Sequence, residues 1–523
     1  MNDLLLPWTT RGVRYDTREY LSSTPFTERE PAAPPDDDLR PNLTLADAVP
    51  VIRRKIRDAA FDGPPAEYGC FDLDGTLVEP GMRFQRQVKN ILYYMISGYF
   101  NVARNKPEIG GGPILLGVAE PIPNTPGDGQ WGVMISEACE SRAEILEALT
   151  PLIDHRHGRV VETPSFEDVG FFQNWLSEIF AARQLPPYLL ICDDFANISL
   201  EIQFVFNALA VTGRLYFDHP DDYAAYAEKV LRVERRRLPN GKRCVLASPQ
   251  DDTVTFVDCE NLVKPALDSH AGKSLDLEPL LGAQFDEGAL HAAARECRFL
   301  GLYSHGLGLE PDQLEQRPDL AGAFVLVHDS MADEGLLTAD ELIRDPFVPG
   351  GIFFSPACLA GGLQGNSDYA SWIDPGNLTR FCGTEARLSS VADAVLRNPD
   401  GPVAFLAHFD ISMASNAPMT NSMFEDRNLQ TMLHEQFFKH LNQGACLGRA
   451  TKPFRWAAGS YYSRSIETFS QLTGTLPIDP ESAARPVADI VRSMCRDHVT
   501  ATDYRNFVIL GDPAVRLPAG NKG

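Results

Sequence analysis

Two series of short, nearly continuous apolar runs, separated by stretches with helical spacing, limit this chain to an α/β architecture. In the first series WGVMI (131–135), GRVVET (158–163) and YLLICDD (188–194) read as strands. RAEILEALTPLIDHR (142–156), DVGFFQNWLSEIFAAR (168–183) and DDYAAYAEKVLRVERRR (221–237) carry the spacing of helices. In the second series RCVLAS (243–248), CRFLGLYS (297–304), AFVLVHD (323–329), GIFFSPAC (351–358) and GPVAFLAHF (401–409) are strand candidates, with FVIL (507–510) a final one. Helical stretches at 260–271, 286–296, 426–443 and 481–498 lie between and after them. Strands that are apolar along their whole length are covered on both faces, which is the setting of a mostly parallel sheet flanked by helices.

At 523 residues the chain exceeds one ordinary core. Residues 22–42 are rich in proline and acid, 45–60 and 81–100 have helical patterns, and the Gly/Pro-rich run 110–130 breaks the pattern. The expected division is a 1–125 accessory or regulatory region, a 126–240 non-catalytic α/β subdomain and a 241–523 catalytic subdomain. LPNGK (238–242) is the turn between the last two. The fold class expected is therefore α/β, with two doubly wound, mostly parallel-sheet subdomains behind an N-terminal extension.

A formal net charge of −24 argues against a nucleic-acid or anionic-membrane partner, because phosphate is bound through Lys and Arg. It suits a basic substrate or partner, and equally a surface that is simply well solvated. The opening MNDLLLPWTTRGVRYD has no basic segment followed by an apolar one, so no secretory signal is read, and no apolar stretch reaches the ~20 residues that span a bilayer. The ten cysteines are scattered without CxxC or zinc-like spacing, which points to reduced, mostly buried thiols and a cytoplasmic setting.

Two strands of the second series end in reactive residues. FLGLYSHGLGL places His305 and Gly306 just past one, and GGIFFSPACLAGG places Cys358 just past another. Side chains at the carboxyl ends of neighbouring parallel strands converge on one crevice. An imidazole beside a thiol lowers its pKa and protonates a leaving amine. The N–H groups of Gly306 and Cys358 would serve as an oxyanion hole, and Gly361 and Gly362 would keep the mouth of the site open.

The strand–His–Gly and strand–Ala–Cys pair resembles the catalytic pair of the cysteine-peptidase clan containing caspases, gingipains, separase and CHAT domains. DEGLLTADELIRDPFVPGGIFFSPAC (333–358) is similar to the lead into the nucleophile strand of CHAT domains, and NFVILGDPAVRLP (506–518) to the closing motif of the gingipain-like and CHAT branches. PPYLLICDDFANIS, VTGRLYF and YAEKVL (within 186–230) resemble the subdomain that precedes the gingipain catalytic one. The resemblance spans roughly 130–520. It implies a caspase-like, gingipain-type tandem and a cysteine endopeptidase that uses Cys358 and His305, needs no cofactor or metal, and acts on protein substrates. A regulatory partner or processing would activate it. The chain departs from the gingipain pattern in having Cys192-Asp193-Asp194 where a Gly-Asp pair is usual, and in lacking the secretory signal usual there.

In this clan the loop after the first catalytic strand often lines the specificity pocket. Here it offers Asp251 and Asp252, with Asp329 after the next strand candidate; acids there would select Arg or Lys, and equally are ordinary loop acids. Trp372 would wall a pocket or fill a core. A rival reading starts from FDLDGTLVEP (71–80), which matches the first motif of HAD-type magnesium-dependent phosphatases with Asp72 and Asp74 as the reacting carboxylates; a hairpin with an Asp-Gly turn is the simpler reading. A third is a caspase-like scaffold without activity. His408 is read as a buried, hydrogen-bonded histidine, Cys382 as a thiol without a suitably spaced partner, and HRH (155–157) as no metal site.

Overall fold

The computed structural model describes residues 122–164, 185–235, 243–251, 253–308, 311–327, 335–364, 386–410, 412, 429–473 and 500–517. Positions 70, 71, 77, 78, 175 and 497 are also described. Strands β1 (Cys70–Phe71) and β2 (Leu77–Val78) pair antiparallel with each other. The first apolar series becomes β3 (Trp131–Ser136), β4 (Arg159–Thr163), β5 (Tyr188–Ile191) and β6 (Val211–Arg214). The second opens with β7 (Arg243–Ser248), β8 (Leu277–Leu281) and β9 (Cys297–Leu302). Three short strands follow, β10 (His305–Gly306), β11 (Phe324–Val325) and β12 (Leu336–Leu337). The chain then forms β13 (Ile352–Ser355), β14 (Gly362–Gln364), β15 (Ala386–Leu388), β16 (Ala404–His408) and β17 (Phe507–Gly511).

One ten-stranded sheet, in the order β4-β3-β5-β6-β17-β16-β13-β9-β7-β8, carries both series. Pairs within each series are parallel, whereas β17 runs antiparallel to β16. Central strands such as β5, β9, β13 and β16 are buried along their whole length, as their unbroken apolar sequences require. The expected strand at 323–329 does not join this sheet. Among its described residues, Phe324 and Val325 form the strand, and they lie in a separate antiparallel sheet between β10 and β12. An apolar run of that length packs equally well in either setting, so periodicity alone does not separate them. Edge strand β8, with the sequence LEPLL, lacks the continuous apolar character and was not anticipated.

Helices that flank the sheet begin where side chains satisfy their free N–H groups. Ser199 accepts from Ile202 N (3.3 Å) ahead of α1 (Leu200–Leu209), and Asp286 accepts from Ala289 N (2.7 Å) ahead of α2 (Glu287–Glu296). Thr338 and Glu341 form a capping box at the start of α3 (Ala339–Arg344), and Ser389 accepts from Ala392 N (3.0 Å) at α4 (Ser390–Arg397). The aromatic core centres on Phe353 stacked on Phe405 (4.5 Å), with Phe354 against Phe437 and Phe454.

Strand β17 joins the two series, pairing with β6 on one side and β16 on the other. Immediately after it, the fully buried Asp512 accepts from Trp131 Nε1 (2.8 Å), from Ala514 N (2.8 Å), and from Arg156 Nε and Nη2 (3.0 and 2.7 Å). Arg156 also donates to both oxygens of Glu234 (2.7 and 2.6 Å), whose Oε2 meets His155 Nε2 at 2.7 Å. Burial would raise the Glu234 pKa, but Arg156 and His155 outweigh it and hold the carboxyl below the usual glutamate value. Removing one member leaves a buried charge uncompensated.

Asp512→Ala is expected to destabilise the protein by about 3–5 kcal/mol in denaturant unfolding. Because the folded-state pKa of Glu234 is depressed, its stabilisation is present above the ordinary glutamate value of 4.5 and is lost as pH falls below that. Acid unfolding profiles of wild type and Glu234→Gln should therefore converge toward low pH; parallel profiles would remove Glu234 from the linkage.

Candidate active site

Strand β9, which leads to His305, and strand β13, which leads to Cys358, are immediate parallel neighbours. Ile352, Phe353 and Phe354 of β13 register with Phe299, Leu300 and Gly301 of β9. No strand stands between β9 and β13 in the sheet, because Phe324 and Val325 belong to the separate antiparallel sheet. The two carboxyl ends are tied by one hydroxyl: Ser355 Oγ donates to Leu302 O (2.7 Å) and accepts from Ala357 N (3.2 Å). Cys358 thus leaves β13 on a turn anchored to the end of β9.

Beyond Leu302 the chain enters β10, where His305 pairs with Val325 and Gly306 with Phe324. Gly306 lies against the backbone of Cys358. A Cβ on Gly306 would sit 1.8 Å from the Cys358 carbonyl oxygen and 3.1 Å from its nitrogen. Only glycine fits, and its position brings the His-Gly segment and the Cys358 turn into backbone contact. Leu307 N donates to Ala323 O (2.8 Å), which makes 307 and 323 a hydrogen-bonded pair. By the alternation of antiparallel ladders the Gly306 N–H then points away from β11, free of the ladder.

Cys358 is 2 % exposed. Ser412 N donates to its sulfur (3.3 Å), and Leu359 N donates to Asp410 O (3.0 Å). Leu359 has φ +57°, a left-handed conformation that is uncommon for a branched side chain and puts a sharp turn directly after the cysteine. Burial pushes the Cys358 thiol up to about 12; the Ser412 N–H opposes this, and the nearby Asp503 and Asp410 charges add to it. In this conformation the residue is a protonated thiol at neutral pH.

The other expected positions divide. Asp251 is an exposed loop residue and accepts from Thr255 Oγ1 at 3.4 Å, next to Gln250 at φ +53°. Asp252, Asp329, Trp372, Cys382, Asp72 and Asp74 lie outside the described residues. Gly361 and Gly362 do not open the mouth of the site; added Cβ atoms would meet the Phe409 ring at 2.7 and 2.4 Å, so these glycines admit a packed phenyl group. Strands β1 and β2 pair Phe71 with Leu77 across the DLDGT segment, the pairing a hairpin requires. His408 is fully buried and hydrogen-bonded. Among the described residues, Glu287, His291 and Glu341 bring three metal-type ligand atoms within 4.8 Å, but Glu341 is already engaged with Thr338 in the capping box. Cys192, Cys244, Cys259, Cys297, Cys358 and Cys446 are buried free thiols, and Cys139 is a half-buried one.

Ser355, Asp410, Ser412 and Asp503 surround the nucleophile turn and were not singled out from sequence. Asp410 and Ser412 follow β16, the neighbour of β13, so the same strand-end reasoning that marks His305 would have found them. No helix among the described residues is long and apolar enough to cross a membrane.

No protein-family model matches this chain, and no curated protein does. A solved chain described as "Structure of Protease" superposes with a TM-score of 0.46 at 11% identity, over 75% of this chain and 80% of that one.

Gly306→Ala is expected to displace the Cys358 turn and lower stability by about 1–3 kcal/mol, measured by thermal or denaturant unfolding; an unchanged transition would contradict the backbone contact. Alkylation of Cys358 in the resting protein, followed on its peptide by mass spectrometry, should be slow at pH 7 and rise steeply only as pH approaches about 12.

Proposed function

We propose that this chain is a cysteine endopeptidase with Cys358 as nucleophile and His305 as general acid and base. The backbone contact between Gly306 and Cys358, at the carboxyl ends of adjacent parallel strands, is the observation that carries this reading. It accounts for the His-Gly and Ala-Cys sequences together: one needs a residue without a side chain, the other supplies the thiol beside it.

In the proposed mechanism the Cys358 proton passes to His305, and the thiolate adds to the scissile carbonyl carbon. The Gly306 N–H, directed away from β11, and the Cys358 N–H stabilise the oxyanion. Collapse of the intermediate expels the amine, which takes the proton from His305 and leaves a thioester. Water, deprotonated by His305, then adds to the thioester; the acid leaves and the thiol is regenerated. The burial of Cys358 means that substrate or an activating partner must first uncover the sulfur. A specificity pocket that drew on Asp251, in the loop after β7, and on Asp252 would suit a substrate with Arg or Lys before the scissile bond.

The same burial favours a second reading, in which the chain keeps the scaffold and binds another protein without cleaving it. Peptidyl acyloxymethyl ketones with Arg, Lys, Leu or Asp before the warhead separate the two. Covalent labelling of the wild type, strongest with Arg or Lys and at least 100-fold reduced in Cys358→Ala and His305→Ala, is expected. No labelling of the wild type by any probe, with or without limited proteolysis, would overturn the peptidase reading. Labelling by the Asp probe alone would overturn the basic preference only.

A further inference from the structure

Behind the Cys358 turn lies a buried histidine–aspartate pair that the proposed chemistry does not use. His408 ends β16 and is fully buried. Its Nδ1 lies 2.7 Å from the Asp410 carbonyl oxygen, and its Nε2 lies 3.0 Å from the Asp503 carbonyl oxygen and 3.3 Å from Asp503 Oδ1. Asp410 N is also near Nδ1, at the longer distance of 3.3 Å. Nε2 must carry a proton to meet Asp503. Nδ1 either accepts from Asp410 N–H at 3.3 Å or donates to the Asp410 carbonyl at the shorter 2.7 Å, and in the second case the ring is doubly protonated and the buried Asp503 carboxylate balances its charge. The Phe507 ring meets the imidazole edge to face at 5.1 Å, closing the site to water.

The Asp410 carbonyl that receives His408 Nδ1 also accepts the N–H of Leu359, the left-handed residue after Cys358 (3.0 Å). Two more contacts come from the same segment: Gly361 N donates to His408 O (2.9 Å), and Ser412 N donates to the Cys358 sulfur (3.3 Å). Phe409 N in turn donates to Asn506 O (3.0 Å). Residues 408–412 therefore grip the nucleophile turn at three points, and the His408–Asp503 pair fixes that grip to the chain entering β17.

We infer that His408 and Asp503 are positioning residues: a buried imidazolium–carboxylate pair that holds the Cys358 turn in its reactive geometry through the shared Asp410 carbonyl. The inference rests on Cys358 being the reactive thiol, and its effect is on the placement of that thiol, not on proton transfer to substrate.

Iodoacetamide alkylation of Cys358, read on its tryptic peptide at fixed pH, reports that placement whether or not the protein cleaves peptides. The full chain would be compared as wild type, Asp503→Asn, Asp503→Glu and His408→Gln, with circular dichroism and thermal unfolding as controls for folding. Folded Asp503→Asn and His408→Gln should show the Cys358 alkylation rate changed at least fivefold. Asp503→Glu should move back toward wild type, and in the peptidase assay kcat should fall at least tenfold with KM within a factor of two. Alkylation within a factor of two of wild type in both folded variants would overturn the inference. Nitrogen-15 spectra of the wild-type imidazoles, with the His408 signals assigned through their couplings to its own backbone, give a test that needs neither activity nor a folded variant. Two protonated nitrogens at neutral pH are expected, and a neutral ring would overturn it even if the variants failed to fold. Loss of all peptidase activity in the wild type, with these results intact, would instead count against the peptidase reading alone.

Discussion

Strand β17 runs against its neighbour β16 and occupies the seam of a ten-stranded sheet, and both the joining of the two strand series and the shape of the candidate site depend on it. Its carboxyl end delivers Asp512 into a buried network with Trp131, Arg156 and Glu234, all from the first series. The Asp512 carboxylate has four donors around it, so its burial is offset by charge-assisted hydrogen bonds in a place water does not reach. The amino end of the same strand follows Asp503 and Asn506, which hold His408 and Phe409 beside the nucleophile turn. One strand therefore ties the halves together at one end and supports the chemistry at the other. A lesion in either network should be felt through β17, because neighbouring groups in shared networks do not behave additively.

The site itself is built by close approach of backbone more than by side-chain contact. Ser355 ties the ends of β9 and β13, Gly306 admits the Cys358 carbonyl, and Leu359 bends the chain at a positive φ. The last two of these features restrict residue choice or store strain, as close backbone approaches do elsewhere in the chain, at Gly213 and Gly448 for example. Phe195, from the loop after β5 of the first series, packs on Phe409 at 5.7 Å, and Phe409 fills the space over Gly361 and Gly362. Through this aromatic contact the first series buttresses the nucleophile turn although it supplies none of the candidate catalytic groups.

Much of the fold was legible because buried parallel strands write themselves as unbroken apolar runs. RCVLAS, GIFFSPAC and GPVAFLAHF became β7, β13 and β16 with ends within a few residues of the expected ones. AFVLVHD misled for the same reason, since an apolar run records burial and not which sheet it joins. The short β8, interrupted by Glu278 and Pro279, was invisible because an edge strand needs only one covered face. At the site, strands β9 and β13, whose ends lead to His305 and Cys358, are neighbours, and Gly306 lies in close backbone approach to Cys358. Asp410 and Ser412 lie just past β16, within reach of the same strand-end reasoning, but Asp503 was hidden because it meets His408 across a separation of 95 residues, which no local pattern records.

The buried state of Cys358 sets the energetic scale of any reaction at this site. A thiol that titrates at about 12 is disfavoured as thiolate at pH 7 by roughly 7 kcal/mol, which no cysteine nucleophile can carry as a standing cost. The cause is mostly desolvation, so exposing the sulfur would relieve most of it without new chemistry. A charged imidazole drawn close at the same moment would supply much of the remainder. Ser412 N already donates to the sulfur and needs only to stay in place as solvent or substrate arrives. Movement must then come from whatever covers the sulfur, while the grip of residues 408–412 on the turn persists. A site arranged in this way separates two requirements that a single rigid pocket would confuse: the thiol is kept unreactive by burial, and kept correctly oriented by a buried ion pair that opening would leave intact.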